Sequence, residues 1–349
     1  MSPNQSEQLT IGIDLGDRVS HYCVIDAQGV VVEEGRMRTL QESVRQWALR
    51  FGGARMVIEA GTHSAWMSRL LGELGHEVIV GDAREIASLR RTNKNDRRDA
   101  ERLARYGRID PALLAPITHR SEDLQLDLAV IKVRERLVLA RAMMINAVKG
   151  LMKSFGFPPP AGCADVFAKR CPEVLGERLL SIVQPLLEQI AALTEKIKVS
   201  DRSVEEMAEK RYPETRLMRS IFGVGPLTAL CFRLTVADPG RFKRSRDAGC
   251  FVGLRPKQFQ SGDRDPQLGI SKVGSKYLRN LLVQCAHHIL GPFGRDSALR
   301  QWGLRLAERG GKNAHKRAIT AVARKLAVLM HRIWVTNRIY APFPKLIAA

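Results

Sequence analysis

The chain lacks the cysteine pairs that a zinc site needs. Its six cysteines, Cys23, Cys163, Cys171, Cys231, Cys250 and Cys285, are scattered, with no C-x-x-C. Zinc ribbons and fingers rest on close pairs, so a structural zinc is not expected. Disulfides are not expected in a reducing compartment either. No run reaches the ~18 apolar residues of a spanning helix. The amino-terminal MSPNQSEQLT is polar, without the basic-then-apolar layout of a secretory leader. The expectation is a cytoplasmic protein. The one histidine pair, His287 and His288, lies in the apolar run NLLVQCAHHIL. Adjacent helix positions point about 100° apart, which suits a core or DNA-facing role better than joint ligation of one metal. Acidic residues are also in short supply: 36 Asp and Glu stand against 56 Lys and Arg, a net charge of +20. Such a balance favours polyanions, above all nucleic acid. At 349 residues there is room for two or three domains.

What is present begins as an α/β pattern. LTIGIDLG, SHYCVIDAQG and VVVEEGRMR read as three strands, with Gln28 and Gly29 turning the chain between the second and third. QESVRQWALRF reads as a helix, RMVIEAG as a strand, HSAWMSRLLGEL as a helix and GHEVIVGD as a strand. Sequential hairpin strands followed by alternating helix and strand predict a mixed sheet flanked by helices. That layout suits an RNase H-like fold, and also sugar-kinase and actin-like ATPases. From Ser121 to about Ser154 the pattern is helical, with Leu124, Leu128, Ile131, Leu137, Met144 and Val148 apolar. A proline-rich loop, SFGFPPPAGCADVFAKRCPEV, forbids helix. Helix resumes from Gly176 to about Lys210, with Pro185 expected to bend it or break it near its start. Two long helices around a proline-rich tip predict an antiparallel arm that pairs between protomers. Beyond Tyr212 and Pro213, Gly223 and Gly225 in FGVGPLTA read as a turn between helices, as in a helix-hairpin-helix that offers backbone N–H groups to a phosphate. Residues 251–274 read as an irregular basic loop, and 312–338 as a closing amphipathic helix.

Four carboxylates stand out. Asp14 follows a buried-strand pattern, Glu59 ends another, and Asp96 and Asp99 lie three apart in NKNDRRDAERLAR, on one face of a helix. Hard divalent cations such as Mg²⁺ take oxygen ligands and share them with substrate phosphates. Arg90, Arg91, Lys94, Arg97 and Arg98 surround the pair and would hold phosphate there. The bland reading of DRRDAER alone is a solvated helix face; the set of four favours metal binding. The rival is an ATP site, because IGIDLG also opens actin-like ATPases. Those folds need a second glycine-rich phosphate loop and an adenosine loop, and neither follows residue 120. A second constellation is GLRPKQFQSGDRDPQLGISKVGSKYLRNLL. Ser261 and Ser271 lie there among Arg255, Lys257, Arg264 and Lys272. A serine nucleophile needs exposure, a route for its proton, and positive charge for the phosphate it attacks. No histidine is nearby to act as base, so composition alone reads this segment as a phosphate-binding loop.

The order I-D-L-G, I-E-A-G, N-D-R-R-D-A, FGVGPLTA and GLRPKQFQSGDRDPQLGISKVGSKYLR resembles the IS110-type (IS110/IS1111) insertion-sequence transposases over nearly the whole chain. The resemblance implies an α/β RNase H-like (RuvC-like) domain over 1–118, a long helical coiled-coil arm over 119–212, and a mainly α transposase domain over 213–349. It implies a DEDD set at Asp14, Glu59, Asp96 and Asp99 holding Mg²⁺, and a catalytic serine at Ser261, which precedes glycine in the family's S-G position. Many members carry S-S-G, whereas this chain has Gln260, Ser261 and Gly262. That leaves Ser261 as the nucleophile, with Ser271 in reserve. The implied partners are donor and target DNA, a structured noncoding guide RNA, and further copies of the chain in a dimer or a tetramer on DNA. There the RuvC-like site of one protomer completes the serine site of another. Nucleic acid would be met by Arg91, Lys94, Arg97, Arg98, Gly223, Gly225, Arg255, Lys257, Arg264 and Lys272. Two other classes fit the residues: a Holliday-junction nuclease using metal-activated water, and a non-catalytic nucleic-acid-binding protein.

Overall fold

A computed structural model describes residues 9–89, 95–260, 266 and 268–343. The chain divides into two units at Ser121 and Glu122. The first unit contains β1 (Thr10–Asp14), β2 (Val19–Ile25), β3 (Val31–Arg38), α1 (Gln41–Ala48), β4 (Arg55–Glu59), α2 (Ser64–Glu73), β5 (Glu77–Gly81), α3 (Ala83–Leu89) and α4 (Asp96–Ile109). The strands form one sheet in the order β3-β2-β1-β4-β5. β1 to β3 are antiparallel, and β4 and β5 run parallel to β1. The β2–β3 turn closes as expected: Gly29 has a φ of 85°, and Asp26 accepts hydrogen bonds from the N–H groups of Gln28 and Val30.

Strand periodicity sorts the side chains into two layers. Ile11, Ile13, Met56 and Ile58 pack with Trp47 of α1 and Met67 of α2. The alternate residues face α4, where Cys23 and Ile25 meet Ala100 and Ala104, and Val57 and Ile79 meet Leu103. β4 is apolar in its middle on both faces because both faces are covered. A five-stranded mixed sheet with helices on both faces is consistent with the RNase H-like layout.

The second unit is helical: α5 (Glu122–Ser154), α6 (Phe167–Arg170), α7 (Glu177–Lys210), α8 (Thr215–Arg219), α9 (Pro226–Val236), α10 (Arg246–Phe251), α11 (Lys276–Leu290), α12 (Ala298–Glu308) and α13 (Ala314–Thr336). α5 and α7 lie antiparallel, as their partners show. Asp127 meets Arg211, Arg134 meets Asp201, and Arg141 donates to Thr194. At the far end Ile145, Val148 and Met152 pack on Leu179, Val183 and Leu187, with Phe167 of α6. At the near end Leu128, Ile131, Val204 and Ala208 join the core built by α8, α9, α11 and α13.

Three expectations need correction. The segment after Ser154 is not wholly irregular: α6 forms once the prolines are passed, with Phe167 buried as its anchor. Of the bend or break expected at Pro185, the break does not occur: α7 runs through it. Ser181 and Pro185 are both exposed, so the carbonyl that proline leaves unbonded faces water. Residues 251–274 are not uniformly irregular either. Pro256 and Ile270 form an antiparallel bridge, flanked by Lys257 N–H to Gly269 O at 2.9 Å and Ser271 N–H to Arg255 O at 2.8 Å.

Candidate active site and nucleic-acid surface

Sheet register decides where the acidic residues fall. Asp14 continues the series Thr10, Gly12, Asp14, and Glu59 continues Arg55, Val57, Glu59, so both lie on the face covered by α4. Ile13 is aligned with Ile58 across the parallel pair, which sets Asp14 and Glu59 at adjacent strand ends. α4 is seated very closely on this face. A Cβ at Gly12 would stand 2.1 Å from the Ala100 carbonyl oxygen and 2.4 Å from the Ala104 nitrogen. A Cβ at Gly107 would stand 2.3 Å from a methyl of Val57.

The first turn of α4 therefore lies by the same end of the sheet. Asn95 caps it, its side chain accepting from the N–H of Arg97 at 3.1 Å. Asp96 is exposed, with its Oδ2 3.9 Å from Nδ1 of His21, and His21 is the residue opposite Asp14 in the antiparallel pair. Asp99 is buried, and its Oδ1 accepts from Arg102 at 3.4 Å.

All four groups offer hard oxygen donors, the chemistry that suits a divalent cation. Among the described residues, no group of three or more His, Cys, Asp and Glu is gathered closely enough to enclose a metal ion. The donor type suits a divalent cation, and Asp14, Glu59, Asp96 and Asp99 are the residues whose oxygens could serve one.

Sequence reasoning missed His21 and His63. His63 lies four residues beyond Glu59, with Nε2 3.6 Å from Asp17, while its Nδ1 accepts from the Trp66 indole at 3.1 Å. The period-two pattern of SHYCVID carried the signal for His21, since it places His21 and Cys23 on one face. That this face also bears Asp14 follows only from the antiparallel β1–β2 register.

The basic residues around the pair divide. Arg97 is tied to Glu34 of β3, its Nε 2.7 Å from the carboxylate, and this partner raises the guanidinium pKa. Arg98 is exposed. Arg91 and Lys94 lie outside the described residues. Cys23, beneath α4, has its thiol pushed up to about 11 by burial and by the nearby Glu34 and Glu101 carboxylates. It stays a neutral, packed thiol at physiological pH.

In the second unit Ser261 and Arg264 lie outside the described residues, but the stem that carries them is described. Gly253 has a φ of 73°, and a Cβ there would stand 2.2 Å from the Val273 carbonyl oxygen. Arg279, buried on α11, donates to the carbonyls of Val252 at 3.1 Å and Val273 at 3.0 Å. One guanidinium thus pins both ends of the segment, and its burial lowers its pKa. Arg255, Lys257 and Lys272 are exposed along the stem. Ser271 Oγ is buried and has no hydrogen-bond partner among the described residues, so it is not presented to solvent as a nucleophile would be. Gly223, with a φ of 89°, forms the turn before α9, and Gly225 caps that helix ahead of Pro226. The turn sits on the end of α11: a Cβ at Gly223 would lie 3.1 Å from Ile289 and 3.3 Å from His288. His287 and His288 are exposed, and His288 stacks near Phe222 at 5.2 Å.

An α/β unit with acidic residues at its strand ends, joined in one chain to a strongly basic helical unit, defines a class of DNA-processing proteins to which transposases belong. Residues 11–157 match the DEDD-type IS110 transposase model, and residues 215–301 match the model described as the transposase IS116/IS110/IS902 family. The transposase of insertion sequence element IS1328 from Yersinia enterocolitica is 30% identical over 79% of this chain and 82% of its own length. That of IS1111A from Coxiella burnetii is 29% identical over 95% of this chain and 90% of its own. A probable family 20 transposase from Pseudomonas aeruginosa is 24% identical over 95% and 98%. The chain belongs to the IS110 family of insertion-sequence transposases.

Proposed function

We propose that this transposase exchanges DNA strands through a serine-linked intermediate, with donor and target DNA aligned by a structured noncoding RNA. The observation that supports the reading best is the convergence, on the α4 face of the sheet, of Asp14 and Glu59 at adjacent strand ends with the first turn of α4. Asp14, Glu59, Asp96 and Asp99 would hold Mg²⁺, which supplies positive charge to the scissile phosphate and lowers the pKa of a hydroxyl bound beside it. Ser261 Oγ attacks phosphorus and gives up its proton to solvent. The bond from phosphorus to the leaving DNA oxygen breaks, and that oxygen takes a proton. In the second step the freed hydroxyl of the partner DNA attacks the serine phosphoester. Ser261 leaves and is reprotonated. One ester replaces another at each step, so no nucleoside triphosphate is consumed.

In this reading the three functional regions are the RuvC-like 1–118, the arm 119–212 and the serine-bearing 213–349. The arm pairs protomers as a coiled coil, so that the carboxylates of one protomer act on the phosphate held at the serine of another. The basic stem residues Arg255, Lys257 and Lys272 would contact backbone phosphates, with sequence read by base pairing to the RNA.

The test is end-labelled DNA incubated with purified protein, Mg²⁺ and RNA transcribed from the flanks of the gene, then resolved on a denaturing protein gel. We expect a labelled band at protein mass that is lost in Ser261→Ala and in Asp14→Ala. Cut DNA without an adduct would instead indicate metal-activated water as the nucleophile.

A further inference from the structure

The second unit carries a groove that shares Pro256, Lys257, Gly269 and Ile270 with the stem described above. One partly exposed stripe of α13 faces the bridged stem, leaving a space of about 930 Å³ between them. Five cations line it: Lys257 on the stem, and Lys316, Arg317, Arg324 and Lys325 on α13. None of the five is ion-paired with a carboxylate among the described residues. Near the base of the α5–α7 pair, by contrast, Arg134 is matched by Asp201, Arg211 by Asp127 and Arg233 by Glu214. The groove thus gathers five cations with no carboxylate among its lining residues. Positive groups gathered without counter-charge repel one another, and a polyanion relieves that repulsion.

The floor is of different chemistry. Leu254, Ile270 and Val328 are apolar, and Trp302 of α12 forms a wall with the Lys325 ammonium 4.2 Å from its ring centroid. The volume falls in the range of about 300–1,000 Å³ typical of sites that enclose organic ligands. A duplex keeps its bases stacked inside and would offer only phosphates, leaving the apolar floor uncovered. A strand with unpaired bases satisfies both surfaces, with phosphates on the cationic rim and bases on the aromatic and aliphatic floor.

We propose that this groove binds an unpaired stretch of nucleic acid along the Pro256–Ile270 bridge. The proposal rests on the transposase reading for its ligand class, but not on the serine chemistry. Lys316 and Arg317 contact successive phosphates, and Trp302 and Ile270 receive the bases.

The test is fluorescence anisotropy of the full chain in the Ser261→Ala background without Mg²⁺, so that binding is read apart from cleavage. The probes are a labelled oligothymidine and a duplex of equal length, and the variant is Lys316→Glu with Arg317→Glu. Both positions are exposed, and melting of the variant checks that it folds. We expect oligothymidine binding to weaken by about tenfold or more, and its log-affinity against log-salt slope to become shallower by about 1.4, the loss of two single-strand phosphate contacts. Duplex binding should change much less. Unchanged oligothymidine binding overturns the proposal, as does an equal loss on both probes, which would mark a general backbone contact. Loss of self-association with binding intact would assign the groove to a second copy of the chain, again overturning it. A labelled protein–DNA adduct from wild type alongside any of those results leaves the serine mechanism standing. Conversely, an adduct that persists in Ser261→Ala removes the mechanism and leaves the groove untouched.

Discussion

At the scale of single residues, the site depends on where side chains are missing. Gly12 lets the α4 backbone come within van der Waals reach of β1; a methyl there would overlap Ala100 and Ala104 backbone atoms. The collision is with main chain rather than with a side chain that could turn away. Gly12→Ala should therefore lift α4 from the sheet and lower stability by about 1–3 kcal/mol, the usual cost of overpacking. Because α4 carries Asp96 and Asp99, DNA cleavage should fall further than the lost stability accounts for. Gly52→Ala is the control, since nothing lies within 4 Å of a Cβ there. Denaturant melts of the two variants decide the matter: equal midpoints would show that α4 is not held by this contact. The LTIGIDLG pattern displayed Gly12 only as a strand residue. Its role as a seat for α4 arises from a partner about 90 positions away and was not legible.

At the scale of elements, the base of the α5–α7 pair is locked by a polar clamp. Asp127, buried on α5, accepts from the Arg211 guanidinium at 2.6 Å and from the Tyr212 hydroxyl. Arg233 stacks 5.1 Å from the Tyr212 ring and pairs with Glu214, tying the clamp to α9. Burial, then the Asp127 carboxylate, push the Tyr212 hydroxyl up to about 12. The folded state therefore keeps this proton more tightly than an unfolded tyrosine, which titrates near 10. Stability from this group is complete below pH 10 and declines as pH rises from about 10 to about 12, because the unfolded chain then binds fewer protons. Tyr212→Phe should reduce the steepness of that alkaline decline by up to one proton, about 1.4 kcal/mol per pH unit. At neutral pH it should cost about 1 kcal/mol for the lost hydrogen bond. Urea melts at neutral pH and through the alkaline window would show both effects; an unaltered alkaline slope would refute the clamp. The two helices were legible from their apolar spacing. Asp127 was not, since its partners arrive only when α7 has returned to the base of α5.

At the scale of the whole molecule, a charge of +20 makes binding to nucleic acid steeply dependent on salt. If six to ten phosphates are neutralised, affinity for duplex DNA should fall about 10³–10⁵-fold between 50 and 200 mM salt. Asp14→Asn should leave that salt response in place while removing cleavage, because it alters the acidic edge and not the cationic surface. Filter binding across a salt series checks the first statement, and the adduct gel the second. A flat salt response would mean that backbone phosphates are not the main contact. No helix among the described residues is long and apolar enough to cross a membrane. The basic surface is therefore not accompanied by a spanning segment there.

The sequence by itself determined the elements and the family. Periods of two and of 3.6 are local properties, so β1 to β5 and the long helices followed from residue order alone, as did the motif series that marks an IS110 transposase. Only the tertiary structure decided which side chains become neighbours. Parallel pairing of β1 with β4 set Asp14 beside Glu59, and antiparallel pairing with β2 brought His21 to Asp96. The return of α13 against the 256–270 stem opened the basic groove. Each depends on strand order and helix seating between residues far apart in the chain, which no local pattern encodes.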